Sequence, residues 1–270
     1  MTRLVGWFCN QVDRLKCAAT HEASALAIDA GGSDGWGVGC YHTGEVLLRK
    51  KPIEPRQSVS LEEMVRDLRA NCALVHIRKA PRGARSLDNT HPFRFRQWLF
   101  AQNGSVPDFD KHRPALRALV PDFLLRSVRG QTDSELVFHV ILAALWETGR
   151  LDDPDLDRLT LVHAVRTAMT RLDELLGGPL RVNLMLTHGN ALVAMRRGLP
   201  MSWVRRQGVD DCPPCRRGTP AVDEALRYVM IASGADITAP GWRSIPDDPD
   251  ATPSFLAVDR SVDALVLSRL

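Results

Sequence analysis

The sequence predicts an α+β fold, and two observations carry that reading. Short apolar, β-prone runs stand at both ends of the chain, and a helical texture fills the stretch from Asp110 to Glu174. No internal repeat and no disordered linker divides the 270 residues, so a single domain over residues 1–270 is expected, with its secondary structure packed in layers.

The elements follow in order. Leu4–Cys9 is apolar and reads as a strand, and a helix is expected over Glu22–Asp29. The glycines of Gly31–Gly39 turn the chain into a strand, Trp36–His42, whose hairpin partner Glu45–Arg49 lies across Thr43-Gly44. Ser60 and Glu63 form a capping-box pair at the start of a helix over Ser60–Ala70. Cys72–Ile77 and Trp98–Ala101 are continuous apolar runs of the kind that buried strands show. Thr132-Asp133-Ser134-Glu135 precedes the almost wholly apolar helix Leu136–Trp146. In the next helix, Asp155–Leu176, one face carries Leu159, Val162, Val165, Met169, Leu172 and Leu176. Strands return at Leu180–Thr187, Ala191–Arg196, Tyr228–Ala232, Phe255–Val258 and Ala264–Leu267, with a Pro-rich surface loop at Asp211–Pro220.

Composition narrows the function classes. Lys+Arg 35 against Asp+Glu 32 leaves +3, too little for a nucleic-acid stripe or a membrane-surface patch. Six cysteines are too sparse for a disulfide scaffold in a chain of this length. Met1–Asn10 has neither the long apolar stretch nor the small-residue cleavage site of a secretory signal, so a cytoplasmic protein is expected. Neither a GxGxxG nor a GxxxxGK[ST] pattern is present, so no nucleotide and no other cofactor is expected. Cys212-Pro213-Pro214-Cys215 has zinc-knuckle spacing but no second pair to complete four ligands, and it reads as a loop pair rather than a metal site.

Several short motifs bear chemistry. Asp34-Gly35-Trp36-Gly37 places glycines where the backbone turns tightly or approaches something closely. Arg78 leaves the buried strand and can clasp a carboxylate through two parallel hydrogen bonds, or form an ordinary ion pair. His76, two residues earlier, lies inside an apolar alternation and reads as a core histidine. Asn103-Gly104 follows a strand and reads either as a turn or as an amide NH₂ and a backbone N–H aimed at one point, as an oxyanion hole requires. Asp133 is an acid at a helix start, where the dipole favours its ionised form and where it could also hold a substrate ammonium.

Taken in order, DGWGVG at 34–39, HIRKA at 76–80, NTHPF at 89–93, AQNG at 101–104 and TDSE at 132–135 resemble the class II glutamine amidotransferase domain, an N-terminal-nucleophile hydrolase. The branch it looks most like is the stand-alone one that includes γ-glutamyl hydrolases. The resemblance covers residues 2 to about 135 and is loose beyond them. It implies a four-layer αββα sandwich and a small-molecule substrate, glutamine or a γ-glutamyl amide. By that likeness Arg78 binds the substrate α-carboxylate and Asp133 its α-amino group. Thr90 and His91 line the pocket, Asn103 and Gly104 form the oxyanion hole, and Gly35 and Trp36 shape the wall beside the nucleophile.

The largest departure falls on the nucleophile, because Thr2 stands where the family has cysteine. Smaller ones are Pro81 for threonine, Gln102 for histidine, and Gly234 for the glutamate expected after Ala-Ser. A hydroxyl nucleophile with its own α-amine as base is workable chemistry, since that amine has a reference pKa of about 7.7–8.0. Three readings follow: an N-terminal-threonine amidohydrolase, an inactive homologue that keeps the substrate cradle, or an ammonia-donating subunit that needs a synthase partner.

Overall fold

The structure is a computed structural model and describes residues 3–26, 35–52, 61–78, 86–208, 225–234, 236–247 and 252–267. Its strands are β1 (Arg3–Cys9), β2 (Gly35–His42), β3 (Glu45–Pro52), β4 (Cys72–Arg78), β5 (Phe93–Phe95), β6 (Trp98–Gly104), β7 (Val182–Thr187), β8 (Ala191–Arg196), β9 (Met201–Gln207), β10 (Arg227–Ser233), β11 (Arg243–Ser244), β12 (Ser254–Asp259) and β13 (Ala264–Leu267). The helices are α1 (Leu15–His21), α2 (Leu61–Val65), α3 (Phe109–Ala118), α4 (Asp122–Leu125), α5 (Asp133–Glu147) and α6 (Arg158–Leu176). One sheet has the order β11-β9-β10-β1-β4-β2-β3 and the other β13-β12-β8-β7-β6-β5, with antiparallel pairing throughout.

Period-2 alternation explains the layering. In β1, Val5, Trp7 and Cys9 face a core shared with α1 and α2, while Leu4 and Phe8 face the second sheet. In β7, Val182, Leu184 and Leu186 face α5 and α6, while Met185 meets the first sheet. β4 is covered on both faces and buried from end to end, apolar except at His76 and Arg78. At Gly6 the sheets approach so closely that a Cβ would lie 2.7 Å from the Met185 sulfur. The result is the expected αββα sandwich.

Several local expectations hold for identifiable reasons. Thr43 and Gly44 take positive φ (48° and 84°), as a two-residue hairpin of the observed hand needs. Thr132 caps α5 by accepting the Glu135 N–H, and Asp157 caps α6 by accepting those of Leu159 and Thr160. α5 is buried nearly all round, as its apolar composition requires.

Other expectations need correction. The first helix is Leu15–His21, and Glu22 ends it rather than beginning one. The Glu22 carboxylate is drawn into a buried set of donors, Tyr228 Oη (2.8 Å), Trp242 Nε1 (2.8 Å) and Arg206 Nε (2.8 Å). Leu159 is exposed, and the buried face of α6 runs through Leu161, Val162, Ala164, Val165, Ala168, Met169 and Leu172. Strands β5, β9 and β11 carry no recognisable pattern; β9 ends in Arg205-Arg206-Gln207, which masks its apolar start. Thr2, Ser60, Gly31–Asp34, the C-terminal part of the expected Glu22–Asp29 helix, and Asp211–Pro220 with Cys212 and Cys215 lie outside the described residues.

Candidate functional site

Six strand ends converge at one end of the sandwich. Arg78, the last residue of β4, pairs with Gly35, the first of β2. His76 pairs with Leu4 of β1, and Leu4 pairs on its other side with Ser233, the last residue of β10. In the second sheet Asn103 pairs with Asn183. Alternation turns His76 and Arg78 to the same face as Cys72 and Leu74, towards the second sheet. The two sheets are joined there by hydrogen bonds: His76 Nε2 to Asn103 Oδ1 at 3.2 Å, and Asn103 Nδ2 to Ser233 Oγ at 3.2 Å.

Asn103 and Gly104 are the last two residues of β6, not a turn beyond it. Gly104 has φ +103°, and a Cβ there would lie 2.8 Å from the Arg181 carbonyl oxygen, so only glycine fits. Gly37 plays a similar part on β2, where the His91 carbonyl oxygen occupies the space a Cβ would need. The His91 ring then lies 4.1 Å from that of His76 and 4.6 Å from that of Phe93.

The electrostatics are cationic. Arg78 is buried at 4% exposure, and its charge helps to hold both histidines neutral. Burial is the larger cause in each: it pushes His76 down to about 4 and His91 well below the usual histidine range. Lys50, on β3 beside the His91 segment, is likewise pushed down to about 8 by burial, against the opposing pull of Glu135 and Asp88.

The start of α5 closes the site from the other side. Asp133 Oδ2 accepts the Val106 N–H at 2.6 Å and its Oδ1 the Ser134 N–H at 2.9 Å, which ties the helix start to the segment just after Gly104. The Ser134 hydroxyl also donates to Oδ1 at 3.3 Å, while Oδ2 retains a lone pair for a further donor. Glu135 does not close a capping box; its carboxylate accepts the N–H groups of Arg129 (2.9 Å) and Gly130 (2.7 Å). Asn89 Oδ1 accepts the Gln131 N–H at 2.9 Å, clamping the 86–91 segment to this loop.

Gly35 is thus paired with Arg78, His91 and Asn103 both meet His76, and Asp133 is tied to Val106, two residues after Gly104. Thr90 is adjacent, but its hydroxyl donates to the Ser86 carbonyl at 2.7 Å. Trp36 is turned away from Gly35 and Gly37. Its indole packs on the opposite face, in the core shared with α1 and α2, because residue 36 has the other parity from Gly35 and Gly37. Sequence reasoning missed Asn183 and Ser233 as site neighbours and read His76 as a packing residue. Polar Asn183 on the sheet-facing parity of β7 was the available signal. Among the described residues no group of three or more His, Cys, Asp or Glu side chains could hold a metal ion.

The αββα sandwich of two antiparallel sheets between helical layers is the amidotransferase type of N-terminal-nucleophile fold. The chain belongs to the class-II glutamine amidotransferases, whose family description matches residues 1–209. A protein of Methanocaldococcus jannaschii is 34% identical over 118 residues (42% of this chain), and the YafJ protein of Escherichia coli 31% identical over 118 residues (42% of this chain). Those matches span 30% and 42% of the two relatives' own lengths. Among solved structures, a glutamine aminotransferase class-II domain protein from Silicibacter pomeroyi has a TM-score of 0.60 at 18% identity, covering 98% of both chains. The glutamine phosphoribosylpyrophosphate amidotransferase of B. subtilis has a TM-score of 0.60 at 13% identity, covering 99% of this chain and 50% of that one. At such identities the structural likeness speaks for the fold. No helix among the described residues is long and apolar enough to cross a membrane.

Proposed function

We propose that the protein is an amidohydrolase that cleaves the γ-amide of glutamine or of a γ-glutamyl compound, with Thr2 as nucleophile and its own α-amine as base. The observation that carries this reading is the strand register. It brings Leu4, two residues after Thr2, between His76 and Ser233, beside Arg78 and Asn103. Glutamine carries one carboxylate and one ammonium, and a buried arginine with a helix-start aspartate is the pair that recognises both. In the proposed mechanism the Thr2 hydroxyl attacks the γ-carbonyl while the α-amine takes its proton. Asn103 Nδ2–H and the Gly104 N–H stabilise the oxyanion. The amine returns the proton to the departing ammonia, and water then hydrolyses the γ-glutamyl ester. Thr90 and His91 line the pocket, and Gly35 and Trp36 contribute their backbone to its wall.

The test starts with an intact mass, which must show loss of Met1. Release of glutamate and ammonia from glutamine should vanish in Thr2→Ala and rise in Thr2→Cys, while Arg78→Lys should raise KM. Activity that survives Thr2→Ala would assign the chemistry to another group. A second reading, an inactive binding homologue, is favoured by Thr2 itself. It expects calorimetric affinity for glutamine, lost in Arg78→Ala, with no turnover. The third, an ammonia-donating subunit, expects turnover only when a synthase partner is added.

A further inference from the structure

An oxyanion hole built on an asparagine works in one of two orientations only. The amide nitrogen must face the developing charge, yet the oxygen and nitrogen ends have nearly the same shape, so something must forbid the flip. We propose that His76, Ser233 and Asn183 are positioning residues that lock the side-chain amide of Asn103 with one Nδ2 hydrogen held and the other left for substrate. This rests on the reading above that Asn103 is an oxyanion donor.

The polarity of the network is set by backbone groups: a carbonyl at the His76 end orients the Asn103 amide, and an N–H at the other end orients the Asn183 amide, with the Ser233 hydroxyl between them able to donate or accept. At one end the Gln102 carbonyl, which can only accept, lies 3.2 Å from His76 Nε2. Nε2 therefore carries the proton. The Asn103 atom 3.2 Å from that same nitrogen must then be an acceptor, Oδ1. At the other end the Arg197 N–H, which can only donate, points at Asn183 Oδ1 at 3.0 Å. Asn183 Nδ2 consequently faces the Leu199 carbonyl at 3.0 Å and Ser233 Oγ at 2.9 Å. Ser233 Oγ also accepts from Asn103 Nδ2 at 3.2 Å, which takes one of the two hydrogens on that nitrogen.

All four side chains are at most 2% exposed, so no water can substitute for a missing partner at little cost. They come from β4, β6, β7 and β10, so the lock forms only once both sheets have paired. Burial keeps His76 neutral, down to about 4, which preserves a single tautomer through the neutral range.

The experiment uses the full chain, ¹⁵N-labelled, with glutamine as the probe substrate. Long-range ¹H–¹⁵N correlations should report His76 protonated at Nε2 with Nδ1 bare; a proton on Nδ1 would overturn the proposal whatever the activity. In His76→Leu, kcat should fall by on the order of 10–100-fold, part of the roughly 10²–10³-fold cost of deleting an oxyanion donor outright, with KM within about twofold. His76→Gln, which restores an N–H near the position of Nε2, should recover most of that loss. Equal losses in the two variants, or a change in KM alone, would overturn it. Should His76→Leu fail to fold, Ser233→Ala tests the other end of the lock with the same kcat-against-KM split. If the wild-type protein does not hydrolyse glutamine, the functional reading fails by itself. The tautomer and the Asn103 side-chain NH₂ resonances then decide: displaced resonances in His76→Leu or Ser233→Ala support the lock, and unmoved ones refute it.

Discussion

Gly37→Ala should be among the most damaging single-methyl additions in the chain. An ideal Cβ at Gly37 would lie 2.1 Å from the His91 carbonyl oxygen, 3.0 Å from the His91 carbonyl carbon and 3.1 Å from Pro92 Cδ. Carbon and carbonyl oxygen settle at about 3.3 Å even in their closest favourable contacts, so one backbone must move by roughly 1.2 Å. Neither can do so freely. Gly37 is paired on both sides, with His76 and with Lys50, and the 86–91 segment is clamped through Asn89 and Gln131. Overpacking costs about 1–3 kcal/mol where side chains can give way, and an obstacle made of backbone puts this case at about 3 kcal/mol. For a chain of this size that lowers Tm by about 6 °C or more. Two companion variants grade the effect. At Gly39 the obstacle is the flexible end of Leu99, 2.8 Å away, so Gly39→Ala should cost less. At Gly44 there is nothing within 4 Å, and only its positive φ penalises alanine, by about 1 kcal/mol. Urea midpoints of the three variants provide the assay. If Gly37→Ala proves no less stable than Gly44→Ala, the close approach of β2 to the His91 segment is wrong.

Three further predictions concern stability. His76 and His188 are each held down to about 4, chiefly by burial, against about 6.5 when unfolded, so below pH 6.5 the unfolded chain binds more protons. Stability should therefore fall as pH drops from 6.5 to 5; His91, held well below the usual histidine range, adds to the slope, and His188→Gln should remove up to about 1.4 kcal/mol per pH unit of it in urea titrations. Thr132→Ala removes the cap of α5 and should cost about 1 kcal/mol by the same measurement. Glu135→Ala should cost more, about 2–3 kcal/mol, because it strands the N–H groups of Arg129 and Gly130 beside a buried position.

What could be read from the sequence was whatever is encoded locally. The β2–β3 hairpin was legible because Thr43-Gly44 supplies the turn, and α5 because a cap precedes an unbroken apolar run. Strand β13 was legible from four consecutive apolar residues. Strand β9 was not, since its second half carries arginines that serve other elements; Arg206 reaches back to Glu22 across 184 positions. The site divides the same way. Arg78 and Asn103 declare themselves by residue type at a strand end. His76, Asn183 and Ser233 do not, because their significance lies in a register among four strands that no local pattern encodes.

That division also orders the departures from the family pattern. Gln102 stands where histidine is expected, but its side chain has the opposite parity from Asn103 and points towards the layer of α5 and α6. What residue 102 gives the site is its carbonyl oxygen, the acceptor for His76, and any residue supplies that equally. Gly234 replaces the expected glutamate at a backbone position with φ +105°, while its N–H donates to the Pro200 carbonyl at 3.0 Å. A glutamate in that conformation would be strained, so the change at 234 belongs to how β10 ends and leaves Ser233 bonded to both amides. Neither substitution removes a polar atom from the network around Asn103. Thr2 is of a different kind. On the proposed mechanism it alone alters the attacking atom, exchanging a thiol for a hydroxyl beside the same amine, and a pre-set oxyanion hole is what a weaker nucleophile needs most.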